Sequence, residues 1–198
     1  MSERRRIAVG ITGASGAPIA VRLIELLLAR DCEVHLTCSG AGRLVVREEL
    51  DLGDGPRDRT IIPGLTHERL LEYAEKDYYA PMASGSSRMD AMVIVPCSMG
   101  TIGAIAAGTS DNLLRRAADV MLKERKPLIV VPREAPLSTI HLENLLRLTR
   151  AGATVIPPVL TFYQSPGDSV AAQVDFVVSR ILDHLGIDND LYPRWGMR

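Results

Sequence analysis

The chain has 198 residues, of which 46% are hydrophobic and 24% charged, and its formal net charge is −1. That composition supplies a large apolar core, fits one domain and provides no global basic field, so nucleic acid is excluded as an expected partner. No apolar run approaches the roughly 18 residues of a membrane-spanning helix, so no membrane association is expected either.

In chain order, residues 6–11 read as a strand, 17–29 as a helix, 33–38 as a strand and 40–48 as a helix. After an irregular stretch, a strand over 91–96 is followed by helices over 99–107 and 111–124. A strand over 127–132, a helix over 138–151, a short strand over 154–156 and a helix over 170–185 complete the pattern. The strands, such as Ile7-Ala8-Val9-Gly10-Ile11 and Met92-Val93-Ile94-Val95, are continuously apolar. Such runs are buried on both faces of a parallel sheet. The expected fold is therefore α/β with a doubly wound parallel sheet, whose ligands sit at the carboxyl ends of strands.

The irregular stretch, 52–87, holds Gly53, Gly55, Pro56, Pro63, Gly64, Pro81 and Gly85. It reads as loop with one short helix near 67–74, and loops this long are often functional. The tail, 188–198, carries the only tryptophan, Trp195, and is expected to dock on the body. Cys32, Cys38 and Cys97 are odd in number and lack metal-ligand spacing. They read as thiols in a reducing cytoplasm, and no signal-like apolar run precedes the first strand. The four histidines form no HxxH or HExxH pattern, so no metal site is expected.

Three groups of residues point to chemistry. Gly10-x-x-Gly13-x-x-Gly16 follows the first strand and opens a helix, whose N-terminus offers N–H groups to a phosphate. Its spacing is not the dinucleotide G-x-G-x-x-G, and Thr37-Cys38-Ser39 offers no acid for an adenosine ribose. A mononucleotide or another phosphorylated ligand remains, as does a plain tight turn. Second, Ser98 and Thr101 can cap the next helix or donate to a ligand, and Cys97 between strand and helix reads as a buried thiol. The Ser84-Gly85-Ser86-Ser87 turn can wrap an anion. Third, Arg116 and Lys123 lie seven apart on one helix, and Arg133-Glu134 ends the following strand. Three cations and an acid at one place suit an anionic substrate with proton transfer. The competing account is a wet helix face with i,i+4 ion pairs Arg115–Asp119 and Asp119–Lys123.

The chain resembles the UbiX-type flavin prenyltransferases. The resemblance is carried in order by Thr12-Gly13-Ala14-Ser15-Gly16-Ala17, Ala83-Ser84-Gly85-Ser86, Pro96-Cys97-Ser98-Met99-Gly100-Thr101, the helix from Asp111-Asn112 through Arg116 to Lys123-Glu124, Pro132-Arg133-Glu134-Ala135-Pro136-Leu137, Ile140-His141-Leu142-Glu143-Asn144, Phe162-Tyr163 and Val174-Asp175-Phe176 with Arg180. It covers nearly the whole chain. It implies a Rossmann or flavodoxin-like flavoprotein that joins a dimethylallyl group to N5 and C6 of reduced FMN. The implied donor is dimethylallyl monophosphate, the product prenylated FMN, and the recipient a UbiD-type decarboxylase. It further implies a metal-independent homo-oligomer, a dodecamer with sites at subunit junctions.

By this resemblance, Gly13, Ala14 and Ser15 form the FMN-binding turn. Ser39, Ser98, Met99, Gly100, Thr101 and Arg133 make further flavin contacts. Tyr163, Arg180 and Lys123 bind the prenyl phosphate, with Ser86 and Arg116 in matched segments beside them. Glu134 serves proton transfer to the leaving group, and Ser15 and Glu49 handle protons near the flavin. Tyr78 and Trp195 are candidate aromatic lining for an allylic cation. Relatives often carry tryptophan where Tyr78-Tyr79 stand here; tyrosine keeps a π face. Two rival readings are a flavin-dependent decarboxylase and a flavin carrier without chemistry. The first lacks its early histidine motif, and the second needs no additional phosphate-binding residues.

Overall fold

A computed structural model describes residues 4–52, 60–162 and 169–196. Tyr163 lies outside the described residues. The elements are β1 (Arg6–Ile11), α1 (Ala17–Ala29), β2 (Glu33–Cys38), α2 (Gly40–Glu49), β3 (Leu70–Tyr73), β4 (Ala91–Cys97), α3 (Met99–Ala106), α4 (Leu113–Lys123), β5 (Leu128–Pro132), α5 (Thr139–Arg150), β6 (Thr154–Val155) and α6 (Val170–His184). All strand pairs are parallel, in the order β3-β2-β1-β4-β5-β6. That is the order of dinucleotide-binding sheets; without the edge strand β3 it is the flavodoxin order.

The continuous apolar runs follow from two cores. Ile7, Val9, Ile11, Val34, Leu36 and Val93 pack with α1 and α6. Ala8, Met92, Ile94 and Val130 pack on the other face, with α3 and α4. Alternate residues of each strand thus serve opposite layers, which leaves few positions for polar side chains; in β2, His35 and Thr37 are buried with hydrogen-bond partners. Pro96 has no N–H to give the ladder, and the β4–β5 register shifts between Ile94 and Cys97.

The segment 67–74 is not a helix. Leu70–Tyr73 is β3, an edge strand paired with β2 from Val34 to Thr37. The pairing partner comes from the exposed edge of β2, which the local sequence does not reveal. Within the predicted loop, Pro81–Ala83 and Gly85–Ser87 each form one 3₁₀ turn. The i,i+4 ion pairs of the competing account are replaced as well. Arg115 pairs with Asp111 at 2.7 Å, Asp119 with Arg116 at 2.9 Å, and Lys123 with Glu124. Arg116 sits one turn before Asp119, also within reach at i−3. Among the described residues, no helix is long and apolar enough to cross a membrane.

Candidate functional site

The sheet reverses its winding between β1 and β4, and a cleft opens at the carboxyl ends of these two strands. Thr12 fixes the cleft floor. Its backbone N–H and hydroxyl both donate to Pro96 O, at 3.1 and 2.9 Å. The same hydroxyl accepts from Ser98 N at 2.7 Å. A cavity of about 420 Å³ lies above, lined by Thr12, Gly13, Ser39, Gly100, Thr101 and Arg115 among others. That volume falls within the roughly 300–1,000 Å³ typical of small-molecule sites.

The hydroxyls of Thr12, Ser39, Ser98 and Thr101 line this cavity. Ser39 caps α2 by accepting from Gly42 N at 3.0 Å. Ser98 caps α3 by accepting from Thr101 N at 3.4 Å, and its hydroxyl lies 3.1 Å from that of Thr101. The remaining first-turn N–H groups of both helices have no intrahelical acceptor. Space is open beyond Gly100. Gly13 is required by packing: a Cβ there would stand 2.5 Å from Ala41 Cβ. Such a cradle fits the phosphate and polar edge of FMN. Ala14 is buried and Ser15 is exposed. Met99 faces the core beneath, among Met92, Ile94 and Ile102.

Glu49 holds the turn from below. Its carboxylate accepts from Gly16 N at 2.9 and 3.2 Å and from Ala17 N at 2.7 Å. It occupies the N-terminus of α1, where Gly16 offers no side-chain cap. Two residues that the sequence does not assign to the site complete the cavity. Glu75 accepts from Gly40 N at 3.0 Å and from Asn112 Nδ2 at 3.1 Å. Asn112 also caps α4 by accepting from Arg115 N at 2.9 Å. Asn112 before Leu-Leu-Arg was readable as an N-cap. Glu75 follows β3, the strand read as a helix, and carried no signal.

A second group lies along α4. Arg116 Nε donates to Ala83 O at 3.1 Å. The hydroxyls of Ser84 and Ser86 meet at 2.9 Å. Gly85 packs directly on the Glu124 carboxylate, which pairs with Lys123. That pairing holds the Glu124 carboxyl below its usual range. Ser86, Arg116 and Lys123 therefore belong to one face of the molecule.

A third group lies on α6 and the tail. Arg180 and Trp195 line a cavity of about 650 Å³ with Phe176, Tyr192, Asp183 and Arg194. Asp183 accepts from Arg180 at 2.7 Å and Arg194 at 2.7–2.8 Å, and Tyr192 stacks edge-on against Phe176 at 4.8 Å. The hydrogen bond from Arg194 holds the Asp183 carboxyl low. The tail through residue 196 is thus tied to α6.

Arg133 and Glu134 are exposed at the carboxyl end of β5. Glu134 accepts from Ala135 N at 3.1 Å. The sequence suggests one place for Arg116, Lys123, Arg133 and Glu134; within one chain Lys123 stands apart from Arg133 and Glu134. Helix α4 runs antiparallel to β5, so Lys123 ends at the amino edge of the sheet. The five residues of β5 then carry the chain roughly 16 Å to the opposite edge. Tyr78 is about half exposed, with Lys76 beside it donating to Asp111 O at 2.7 Å. The thiols are buried; desolvation pushes Cys38 up to about 12 and raises Cys97 as well. Among the described residues, no three His, Cys, Asp or Glu side chains gather at a metal-sized site.

A family model described as Flavoprotein matches residues 1–186. The flavin prenyltransferase UbiX of Pseudomonas aeruginosa is 47% identical over 202 aligned residues, covering 99% of this chain and 96% of that protein. A crystal structure of AnUbiX (PadA1) in complex with FMN and dimethylallyl pyrophosphate superposes with a TM-score of 0.86. It is 40% identical and covers 98% of each chain. A dodecameric FMN-dependent UbiX-like decarboxylase from Escherichia coli O157:H7 superposes with a TM-score of 0.84. It is 41% identical, with 96% of this chain and 98% of that one covered.

Proposed function

This chain belongs to the flavoprotein family, among its UbiX-type flavin prenyltransferases, and from that premise we propose that it joins a dimethylallyl group from dimethylallyl monophosphate to N5 and C6 of reduced FMN. The product, prenylated FMN, passes to a UbiD-type decarboxylase. Reduced FMN, when bound, supplies the nucleophilic atoms. The observation that carries the reading is the coexistence of a phosphate-cradling cleft with additional cation groups, at Arg116–Lys123 and at Arg180. A carrier of FMN alone has no use for the additional groups.

In the cleft, Gly13, Ala14, Ser39, Ser98, Gly100, Thr101 and Arg133 hold the flavin, and Met99 supports it from the core. Ser15 moves a proton near the flavin, and Glu49 positions the turn that carries it. An allylic phosphate leaves only when its developing charge is held. Lys123, Arg116, Arg180, Ser86 and Tyr163 supply donors to the phosphate, and Glu134 protonates the departing oxygen. The faces of Tyr78 and Trp195 line the path of the allylic cation and keep water away.

Because Lys123 and Glu134 lie at opposite edges of one sheet, the site is assembled from more than one copy. We infer a homododecamer, the state of the Escherichia coli relative. Helix α5 supports an assembled state: Leu142 and Leu146, one turn apart, are 53% and 49% exposed, and Ile140 is 68% exposed. The protein works in the cytoplasm, in keeping with three unpaired thiols. Glu134→Gln tests the chemistry. The variant binds FMN with unchanged affinity and loses prenyl transfer by at least about a hundredfold, the scale of a general acid. Unchanged turnover would remove Glu134 from the reaction.

A further inference from the structure

At the amino edge of the sheet, away from the flavin cleft, lies a cavity of about 380 Å³ lined by Arg4, Arg5, Arg6, Arg88, Asp90 and Lys126. The topology assembles it. Arg6 opens β1, Asp90 directly precedes β4, and Lys126 stands two residues before β5. These strands are neighbours in the sheet, so their starts lie side by side. The carboxyl end of β1, with the Gly13 turn, is roughly 20 Å away along six residues.

Five cations face one carboxylate here, and that carboxylate is committed. Asp90 Oδ2 accepts from the backbone N–H of Arg6 at 2.7 Å. Arg4 and Arg6 have acids on their outer sides, Asp31 at 3.2 Å and Glu33 at 3.3 Å. Arg5 donates to the carbonyl of Gly186 at 3.4 Å. Glu124, the acid nearest Lys126 in sequence, is paired with Lys123. Among the described residues, Arg5, Arg88 and Lys126 form no ion pair, although the charge of Lys126 still reaches Glu124 and helps hold its carboxyl low. Arg88 is held in the left-handed backbone region, at φ 59°, after the Gly85–Ser87 turn. That conformation is uncommon for a residue with a side chain, and here the residue lines the cavity.

Like charges gathered on a concave surface create a positive potential that an oxyanion relieves. Guanidinium forks match phosphate oxygens in pairs, and an ammonium adds a point charge. We propose that this cavity binds a phosphate group, carried by inorganic phosphate or by a small phosphate monoester, and that it is a site separate from the flavin cleft. Its occupancy bears on two other segments. Arg6 Nη1 donates to Ser87 O at 3.1 Å, and Lys126 stands three residues past the end of α4, its N–H donating back to Met121 O at 2.9 Å. A bound phosphate therefore fastens the Ser84–Ser87 turn and the end of α4, which carry Ser86 and Lys123. The inference does not depend on the proposed prenyl transfer.

The test is calorimetric titration of the FMN-loaded, assembled protein at constant ionic strength, so that the phosphate cradle of the cleft is already filled. Lys123→Ala serves as the background, so that the α4 cluster contributes little. Inorganic phosphate and glycerol phosphate are the two probes. The expected result is one saturable site per chain, weakened at least about tenfold by adding Arg88→Ala and Lys126→Ala. Tighter binding of glycerol phosphate identifies a phosphorylated metabolite as the source; tighter binding of phosphate identifies the free ion. The paired substitutions in the native chain leave FMN affinity and oligomer mass unchanged. Absence of saturable binding, or equal affinity with and without the two cations, overturns the proposal. So does dissociation of the assembly by the paired substitutions, which would make the cavity a contact between copies.

Discussion

Substituting Gly13 by alanine tests the packing of the cleft against its chemistry. The added Cβ would stand 2.5 Å from Ala41 Cβ, 3.4 Å from Ala41 C and 3.5 Å from Ala41 Cα. Carbon atoms rest at about 3.5–4.0 Å, so about 1 Å of overlap must be absorbed. Neither atom sits at the end of a flexible side chain, so either the β1–α1 turn or the start of α2 has to move. Overpacking of this kind costs about 1–3 kcal/mol. The displacement falls between Gly13 and Ser39, two walls of the same cavity. The expected result is an FMN dissociation constant raised at least about tenfold, equivalent to about 1.4 kcal/mol, with a lowered thermal midpoint. Flavin fluorescence titration and thermal denaturation read the two effects. Ala41→Gly removes the opposing methyl, at a helix cost of up to about 1 kcal/mol. The double variant should therefore bind FMN better than Gly13→Ala alone. Wild-type affinity in Gly13→Ala, or no rescue by Ala41→Gly, would refute the steric argument.

Glu49→Ala removes three acceptor contacts at the start of α1, and a loss of about 2 kcal/mol is expected from charged hydrogen bonds and the helix dipole; calorimetry should record a midpoint lower by about 4–8 °C for a chain of this size. His35 is buried between Glu33, at 2.7 Å, and Tyr73, at 3.0 Å, and burial holds its imidazole below the usual range despite Glu33. The unfolded chain therefore takes up this proton first, so the contribution is complete above an unfolded value of about 6.5 and declines as the pH falls toward the folded value. Urea midpoints at pH 7.5 and 5.5 should fall further for the native chain than for His35→Gln, and equal falls would remove His35 as a cause. Inactive Lys123→Ala and Glu134→Gln chains, unfolded together and reassembled, should regain part of the prenyl transfer, because some junctions then combine intact groups from both; activity no higher than either parent would place each site within one chain.

Legibility in the sequence followed burial. The strands around Val9, Val93 and Val130 announced themselves because both faces are covered. The cap Ser98 announced itself because it precedes a helix after a strand. Strand β3 did not: Leu-Leu-Glu-Tyr is half-buried at an edge, and its conformation is set by β2. Glu75 shared that fate, since its partners Gly40 and Asn112 come from distant parts of the chain. The α4–β5 region was legible as charged and polar but not as geometry. Helical spacing places Arg116 and Lys123 on one face, whereas the antiparallel path from α4 into β5 separates Lys123 from Glu134. Asp119 met the nearer arginine one turn back, a choice between i−3 and i−4 that rotamers decide.

Prenyl transfer to flavin is read from the mass of the flavin itself. The purified chain is mixed anaerobically with reduced FMN and dimethylallyl monophosphate, without added metal, and the extracted flavin is weighed. The expected product is FMN heavier by one dimethylallyl unit. Unmodified FMN, with dimethylallyl diphosphate failing equally as donor, would contradict it.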